Sequence, residues 1–206
     1  MSILEKLNDR QRKAAEKIEG ALLILAGAGS GKTRTITYRI AHMIQELGIS
    51  PYKILAVTFT NKAAKEMKER VEDLIGEDGK RTMVSTFHSF GVRLLRTYGD
   101  RLGYGANFTI YDADDQKRVV KGIMKELTVK DKNLTEGMVV SLISKLKEEE
   151  VSADDYEKSE NKYNMNAVVV AEIYRRYNLT LKKNNGMDFS DILINTAKLL
   201  EIPDIL

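Results

Sequence analysis

A chain of 206 residues, 43% hydrophobic and 31% charged with only two prolines, holds enough apolar material for one large core or two small ones, which excludes disordered, collagenous and low-complexity classes. It contains no cysteine, so a disulfide framework, thiolate zinc or iron–sulfur sites and a cysteine nucleophile are excluded, in keeping with a reducing, cytoplasmic setting. Net charge is +3, but residues 1–103 carry 18 Lys/Arg against 12 Asp/Glu while residues 104–206 carry 15 against 18, so an anion-facing surface is expected in the first half. No apolar run approaches the roughly 18 residues of a membrane span, and no membrane partner is expected.

In chain order, the first apolar run covers residues 21–26, and two more follow at 54–59 and 82–87. Short continuous runs bounded by glycine or polar clusters predict strands buried on both faces. Between the first two, Ile36, Ile40, Met43, Ile44 and Leu47 recur at helical spacing, with Gly48 and Pro51 as stop signals. Between the second and third, Ala63, Ala64, Met67, Val71 and Leu74 do the same before Gly76 and Gly79. The order is βαβαβ, which predicts a parallel sheet with helices on its faces.

Beyond about Arg93 the strand signal ends. Val119, Val120, Ile123, Met124 and Leu127 form one helical stripe, with Asp112 or Asp114 as its cap, and Met138, Val139, Leu142, Ile143 and Leu146 form a second. Further stripes run through Val169, Ile173, Tyr174, Tyr177 and Leu181, and through Ile192, Leu193 and Leu200. The chain therefore divides into an α/β part, residues 1–93, and a helical part with a return segment, residues 94–206.

One segment carries chemistry. Ala26, Gly27, Ala28, Gly29, Ser30, Gly31, Lys32 and Thr33 follow the first apolar run and open the first helix. They match the phosphate-binding loop pattern, except that Ala26 stands where the strict pattern has glycine. Glycines at these positions let the backbone turn its amide N–H groups inward at the positive end of a helix, which suits phosphate oxygens. Lys32 would place its ammonium on the β and γ phosphates, and the Thr33 hydroxyl would hold Mg²⁺. ATP and Mg²⁺ are the expected ligands.

Four blocks in order extend the reading: residues 7–11 (Leu-Asn-Asp-Arg-Gln), residues 26–34, residues 56–64 (Ala-Val-Thr-Phe-Thr-Asn-Lys-Ala-Ala) and residues 85–89 (Ser-Thr-Phe-His-Ser). Together they resemble superfamily 1 DNA helicases of the UvrD/Rep/PcrA type. Residues 187–193, with Asp188 and Phe189, are similar to the Asp-Phe segment that this family carries ahead of its second nucleotide motif. The resemblance implies a P-loop NTPase (RecA-like) parallel-sheet core, here incomplete, with an inserted all-helical subdomain. It also implies ATP-dependent 3′-to-5′ movement on single-stranded and duplex-junction DNA by the parent protein, in repair or replication, with accessory proteins of those processes as further partners.

Carried over by position, Gln11 matches the family's adenine-reading glutamine, whose amide can pair with both N6 and N7. Arg34 matches a position near the nucleotide and reads equally as a surface arginine. Phe59, Thr60, Asn61 and His88 match positions along the DNA path. An exposed aromatic ring can stack on a base, and hydroxyl, amide and N–H groups at a helix start can hold a phosphate. Phe59 could instead be core and His88 a structural hydrogen bonder. Lys62, Lys65 and Lys68 interleave with Glu66 and Glu69, as on a solvated helix face.

A motor also needs a Mg²⁺-holding aspartate and a water-orienting glutamate at a strand end, and transition-state cations. No apolar run here ends in Asp-Glu, and residues 202–206 are apolar. The expectation is an amino-terminal fragment that lacks the rest of motor domain 1 and all of motor domain 2, binding nucleotide without hydrolysing it. The alternative is a non-catalytic nucleotide- or DNA-binding adaptor that ends near residue 206.

Overall fold

The computed structural model describes residues 2–131, 133–159 and 165–205; the expected helical part therefore has residues 132 and 160–164, and its final Leu206, outside the described residues. Mixed α/β structure with parallel strands is observed, most of it helical. The chain falls into two compact units, residues 1–87 and 88–206.

In the first unit a short amino-terminal turn leads into α1 (Asp9–Glu16), followed by α2 (Lys32–Gln45), β1 (Leu55–Thr58), α3 (Asn61–Ile75), α4 (Glu77–Arg81) and β2 (Met83–Thr86). Strands β1 and β2 pair in parallel, Leu55 opposite Met83 and Thr58 opposite Thr86, so α3 and α4 form the crossover between them. Helix α3 starts where the Thr60 side chain accepts the Ala63 N–H at 3.1 Å, and it buries Ala64, Met67, Val71 and Ile75 at the expected spacing. Of these, Val71 and Ile75 join Ile40, Ala41 and Ile44 of α2 and Ile54 in the unit's main core. Each of the isoleucine and valine side chains contributes about 1.5–3 kcal/mol on leaving water.

Residues 21–26 depart from the expected strand. The backbone there joins no ladder among the described residues, and Leu23 and Leu25 are 79% and 84% exposed. A strand exists only where a neighbour takes up its N–H and C=O groups, and β1 and β2 pair with each other without enclosing this run. The observed sheet is therefore two-stranded where three strands were expected. Lys68 also departs from the solvated face. Its ammonium donates to the carbonyls of Gly79 at 3.0 Å and Thr82 at 2.6 Å, closing the end of α4, and burial lowers its pKa.

The carboxylate of Glu46, just past α2, holds down the amino terminus. It accepts the Ile3 N–H at 2.6 Å and the Ser2 hydroxyl at 3.0 Å, and lies 2.8 Å from His42 Nδ1. The Ile3 N–H is the largest influence pulling this pKa below its ordinary value, with the His42 and Ser2 bonds adding to it. A depressed carboxylate stabilises the fold above its unfolded pKa and loses that contribution as pH falls through its folded value. Glu46→Gln should thus lower the melting temperature at neutral pH, by about 1 kcal/mol of stability for a partly exposed group. The gap to the parent should close as the pH drops below the usual glutamate range; a gap constant from pH 7 to 3 would contradict the assignment.

The second unit holds nearly all of α5 (Phe87–Tyr98), then β3 (Thr109–Ile110), α6 (Ala113–Glu126), α7 (Glu136–Glu148), α8 (Ala153–Ser159), α9 (Met165–Lys183), β4 (Gly186–Met187) and α10 (Phe189–Leu200). The β3–β4 pair is parallel, Thr109 opposite Gly186, so strand structure does not end near Arg93 as expected. Asp112 caps α6, accepting from the N–H groups of Asp114 and Asp115. Val120, Ile123, Val139, Ile143, Ile173, Tyr177 and Leu181 build the larger core; Leu95, Phe108, Met187, Ile192 and Leu199 build a second. A Cβ at Gly91 would run into the Thr196 hydroxyl and Ile192, so α5 and α10 approach closely only because that position is glycine.

Candidate nucleotide site and nucleic-acid contacts

Gly29 and Gly31 take φ of +75° and +87°, conformations that glycine reaches without strain, and Gly31 is the N-cap of α2. The loop therefore turns sharply and delivers its backbone to a helix start that begins at Lys32. The Ser30 hydroxyl donates to the Gly27 carbonyl at 2.7 Å and stitches the turn. Lys32 folds back over the loop, its ammonium 2.7 Å from the carbonyl oxygens of both Ala26 and Gly27. Thr33 is half-buried in the first turn of α2, and the buried Thr35 hydroxyl donates to the Gly31 carbonyl at 3.1 Å. Ala26, Gly27, Ala28, Gly29 and Ser30 are all exposed.

Gln11 sits against this loop. Its backbone N–H donates to the Asn8 side chain and its own Oε1 accepts the Asn8 N–H, a reciprocal cap at the start of α1. Its Nε2 donates to the Ser30 carbonyl at 3.0 Å, and a Cβ at Gly31 would lie 2.7 Å from the same nitrogen. A primary amide has two N–H donors and two acceptor lone pairs, so one donor and one acceptor site stay available for a base edge. Arg34 is tied to the amino-terminal turn: one guanidinium nitrogen donates to the Lys6 carbonyl at 2.7 Å, and the guanidinium carbon lies 5.4 Å from the Tyr38 ring centre. Arg39 donates to the carbonyls of Ala14 and Lys17, closing the end of α1 and so fixing the helix that carries Gln11.

Phe59 is 92% exposed, which removes the core reading left open by the sequence. Its only described ring partner is the half-exposed Phe87, at 5.6 Å between centres and 48° between planes. Thr60 is used as the α3 cap and its carbonyl accepts the Thr58 hydroxyl at 3.0 Å, while Asn61 is exposed in the first turn. In the second unit His88 is half-buried, with its ring edge-on to Phe189 at 5.6 Å and 73°.

Sequence reasoning missed a buried polar cluster in the second unit. Lys147, at the end of α7, places its ammonium 2.7 Å from Asp188 Oδ2 and 2.7 Å from Asp191 Oδ1, with all but 4% of its side chain and all but 2% of that of Asp188 out of solvent. The Tyr177 hydroxyl donates to Asp188 Oδ2 at 2.9 Å. Burial is the main cause raising the Asp191 pKa, with Lys147 opposing it, and burial likewise raises that of Tyr177. The available signal was a lysine four residues after Ile143, on the apolar face of α7.

Among the described residues no group of three or more His, Cys, Asp or Glu side chains is placed to hold a metal ion, and no helix is long and apolar enough to cross a membrane. Residues 7–206 match the family model of the UvrD/REP helicase N-terminal domain. The whole chain aligns at 45% identity with ATP-dependent DNA helicase PcrA of Staphylococcus epidermidis (strain ATCC 35984), and at 44% with the protein of the same name from Staphylococcus aureus (strain Mu50). In both cases it spans 28% of the relative's length. The match over nearly the entire chain puts this protein in the UvrD/REP helicase N-terminal domain family.

Proposed function

We propose that this chain is the nucleotide-binding amino-terminal part of an ATP-dependent 3′-to-5′ DNA helicase, carrying the P-loop portion of a RecA-like core and a helical subdomain inserted into it. The observation that carries the reading is the loop, with two glycines at positive φ feeding a helix at Lys32 and the Lys32 ammonium lying over it. Exposed N–H groups at a helix start and a mobile cation are what a triphosphate requires. Gln11 would read the adenine edge with its spare donor and acceptor, and Lys32 would exchange the Ala26 and Gly27 carbonyls for phosphate oxygens. Thr33 fits Mg²⁺ as a single hydroxyl ligand, since this ion keeps waters and phosphate oxygens for its other positions. When bound, Mg²⁺ neutralises phosphate charge.

Single-stranded DNA would be held by Phe59 as a stacking face, Thr60 and Asn61 at a helix start, and His88. Such contacts read no base edges, so little sequence preference and a strong salt dependence are expected. None of the four described strands leads into an Asp-Glu pair, which supports binding without turnover by these residues alone. The test is DNA-stimulated ATP hydrolysis and strand displacement, comparing the 206 residues with the longer protein. Activity confined to the longer protein upholds the reading, and turnover by the 206 residues themselves overturns the non-hydrolysing assignment.

A further inference from the structure

We infer that Lys147 is a positioning residue that sets the aromatic pair of His88 and Phe189 by fixing the carboxylate at the start of α10. The DNA part of this inference rests on the role proposed above for His88. Asp188 divides its two oxygens between two jobs. Oδ1 accepts the Asp191 N–H at 2.8 Å and caps α10, while Oδ2 takes the Lys147 ammonium and the Tyr177 hydroxyl. Asp191 completes the frame, returning Oδ2 to the Asp188 N–H at 3.2 Å and Oδ1 to Lys147 at 2.7 Å. Rotation of the Asp188 side chain is thereby stopped from both ends, and α7, α9 and α10 meet at one atom.

Phe189 is the residue that follows this clamp. It opens α10 half-exposed, with its ring against the half-buried His88. Stability alone gives no reason for the cluster, because two carboxylates and one ammonium out of water are at best as stabilising as well-packed apolar side chains of the same volume. What such a cluster supplies is a fixed direction, and here the element fixed is the first turn of α10. Lys147 touches neither ring and acts only through Asp188.

The chain has two histidines, His42 in the first unit and His88 in the second, so histidine-labelled NMR spectra give one reporter and one internal control. Lys147→Met should move the His88 ring signals toward those of Phe189→Leu, leave His42 unchanged, and weaken single-stranded-DNA binding several-fold. Combined with His88→Ala it should add little further loss, because both act on one contact. Where Lys147→Met does not fold, Lys147→Met with Asp188→Asn removes the unpaired charge and keeps a capping oxygen; His88 signals should still move. Unchanged His88 signals in either folded variant overturn the inference and reduce Lys147 to a charge partner. Moved His88 signals in a chain that binds no DNA uphold the positioning and refute the DNA role of His88.

Discussion

Asp188→Ala should be the most damaging single substitution in the second unit, costing about 3–5 kcal/mol in urea or thermal unfolding, because a buried ion pair is broken from one side. The Lys147 ammonium keeps only Asp191, and the Tyr177 hydroxyl loses its acceptor. The Asp191 N–H loses its cap as well, a loss of about 1 kcal/mol by itself. Against a typical stability of about 5–15 kcal/mol, this leaves a large unfolded fraction at 37 °C. Asp188→Asn keeps the capping oxygen but puts an NH2 group where Oδ2 met Lys147 and Tyr177, so it should recover only the cap, about 1 kcal/mol of that loss. Equal losses for the two variants would mean that charge, not capping, carries the whole effect; a loss below about 1 kcal/mol for Asp188→Ala would mean that the cluster is open to water.

That cluster also marks the limit of what the sequence made legible. Periodicity located α2, α3, α6, α7, α9 and α10, because each turns apolar residues toward a core within one or two turns, although Leu47, Met138 and Leu193, counted in those stripes, are exposed. It located β1 and β2 by their apolar runs, although neither is buried on both faces as expected, with Leu55 46% exposed and the rest but Thr86 only partly covered, and the glycine pattern ahead of Lys32 marked the sharp turn into α2. The run at residues 21–26 looks the same to periodicity yet makes no ladder, because strand formation depends on a neighbour that local composition does not describe. The two-residue strands β3 and β4 are too short to show an alternation, and residues about 77 apart in the chain set their pairing. Ion pairs are worse still. Lys147 and Asp188 are 41 residues apart, and only the placement of a lysine on an apolar face hinted that it would need a buried partner. Gln11 is a similar case, since its spacing gives the reciprocal cap with Asn8 but not its bond to Ser30, 19 residues on.

Lys32→Ala should reduce ATP binding by about 10–100-fold, the equivalent of one charge-assisted contact of about 1.5–3 kcal/mol, and so remove detectable binding from a weak site. The side chain is exposed and bonds only to loop carbonyls, so melting should change by less than about 0.5 kcal/mol. This separates a lost ligand contact from a lost fold. Two consequences of the substitution oppose each other. Freeing the Ala26 and Gly27 carbonyls loosens the loop, whereas removing the ammonium also removes the group that would have to leave those carbonyls before touching phosphate. The second gains little, because a lysine moving from carbonyl to phosphate keeps its charged donor and exchanges a neutral acceptor for an anionic one, which adds Coulomb attraction to the hydrogen bond. Loss of affinity is therefore the net expectation, measurable by titrating a fluorescent ATP analogue in the presence of Mg²⁺. Gly31→Ala supplies the complementary case, since a Cβ there meets both a φ of +87° and the Gln11 amide at 2.7 Å. It should weaken binding while leaving the lysine in place. If Lys32→Ala bound the analogue as tightly as the parent, the triphosphate would not lie on this loop.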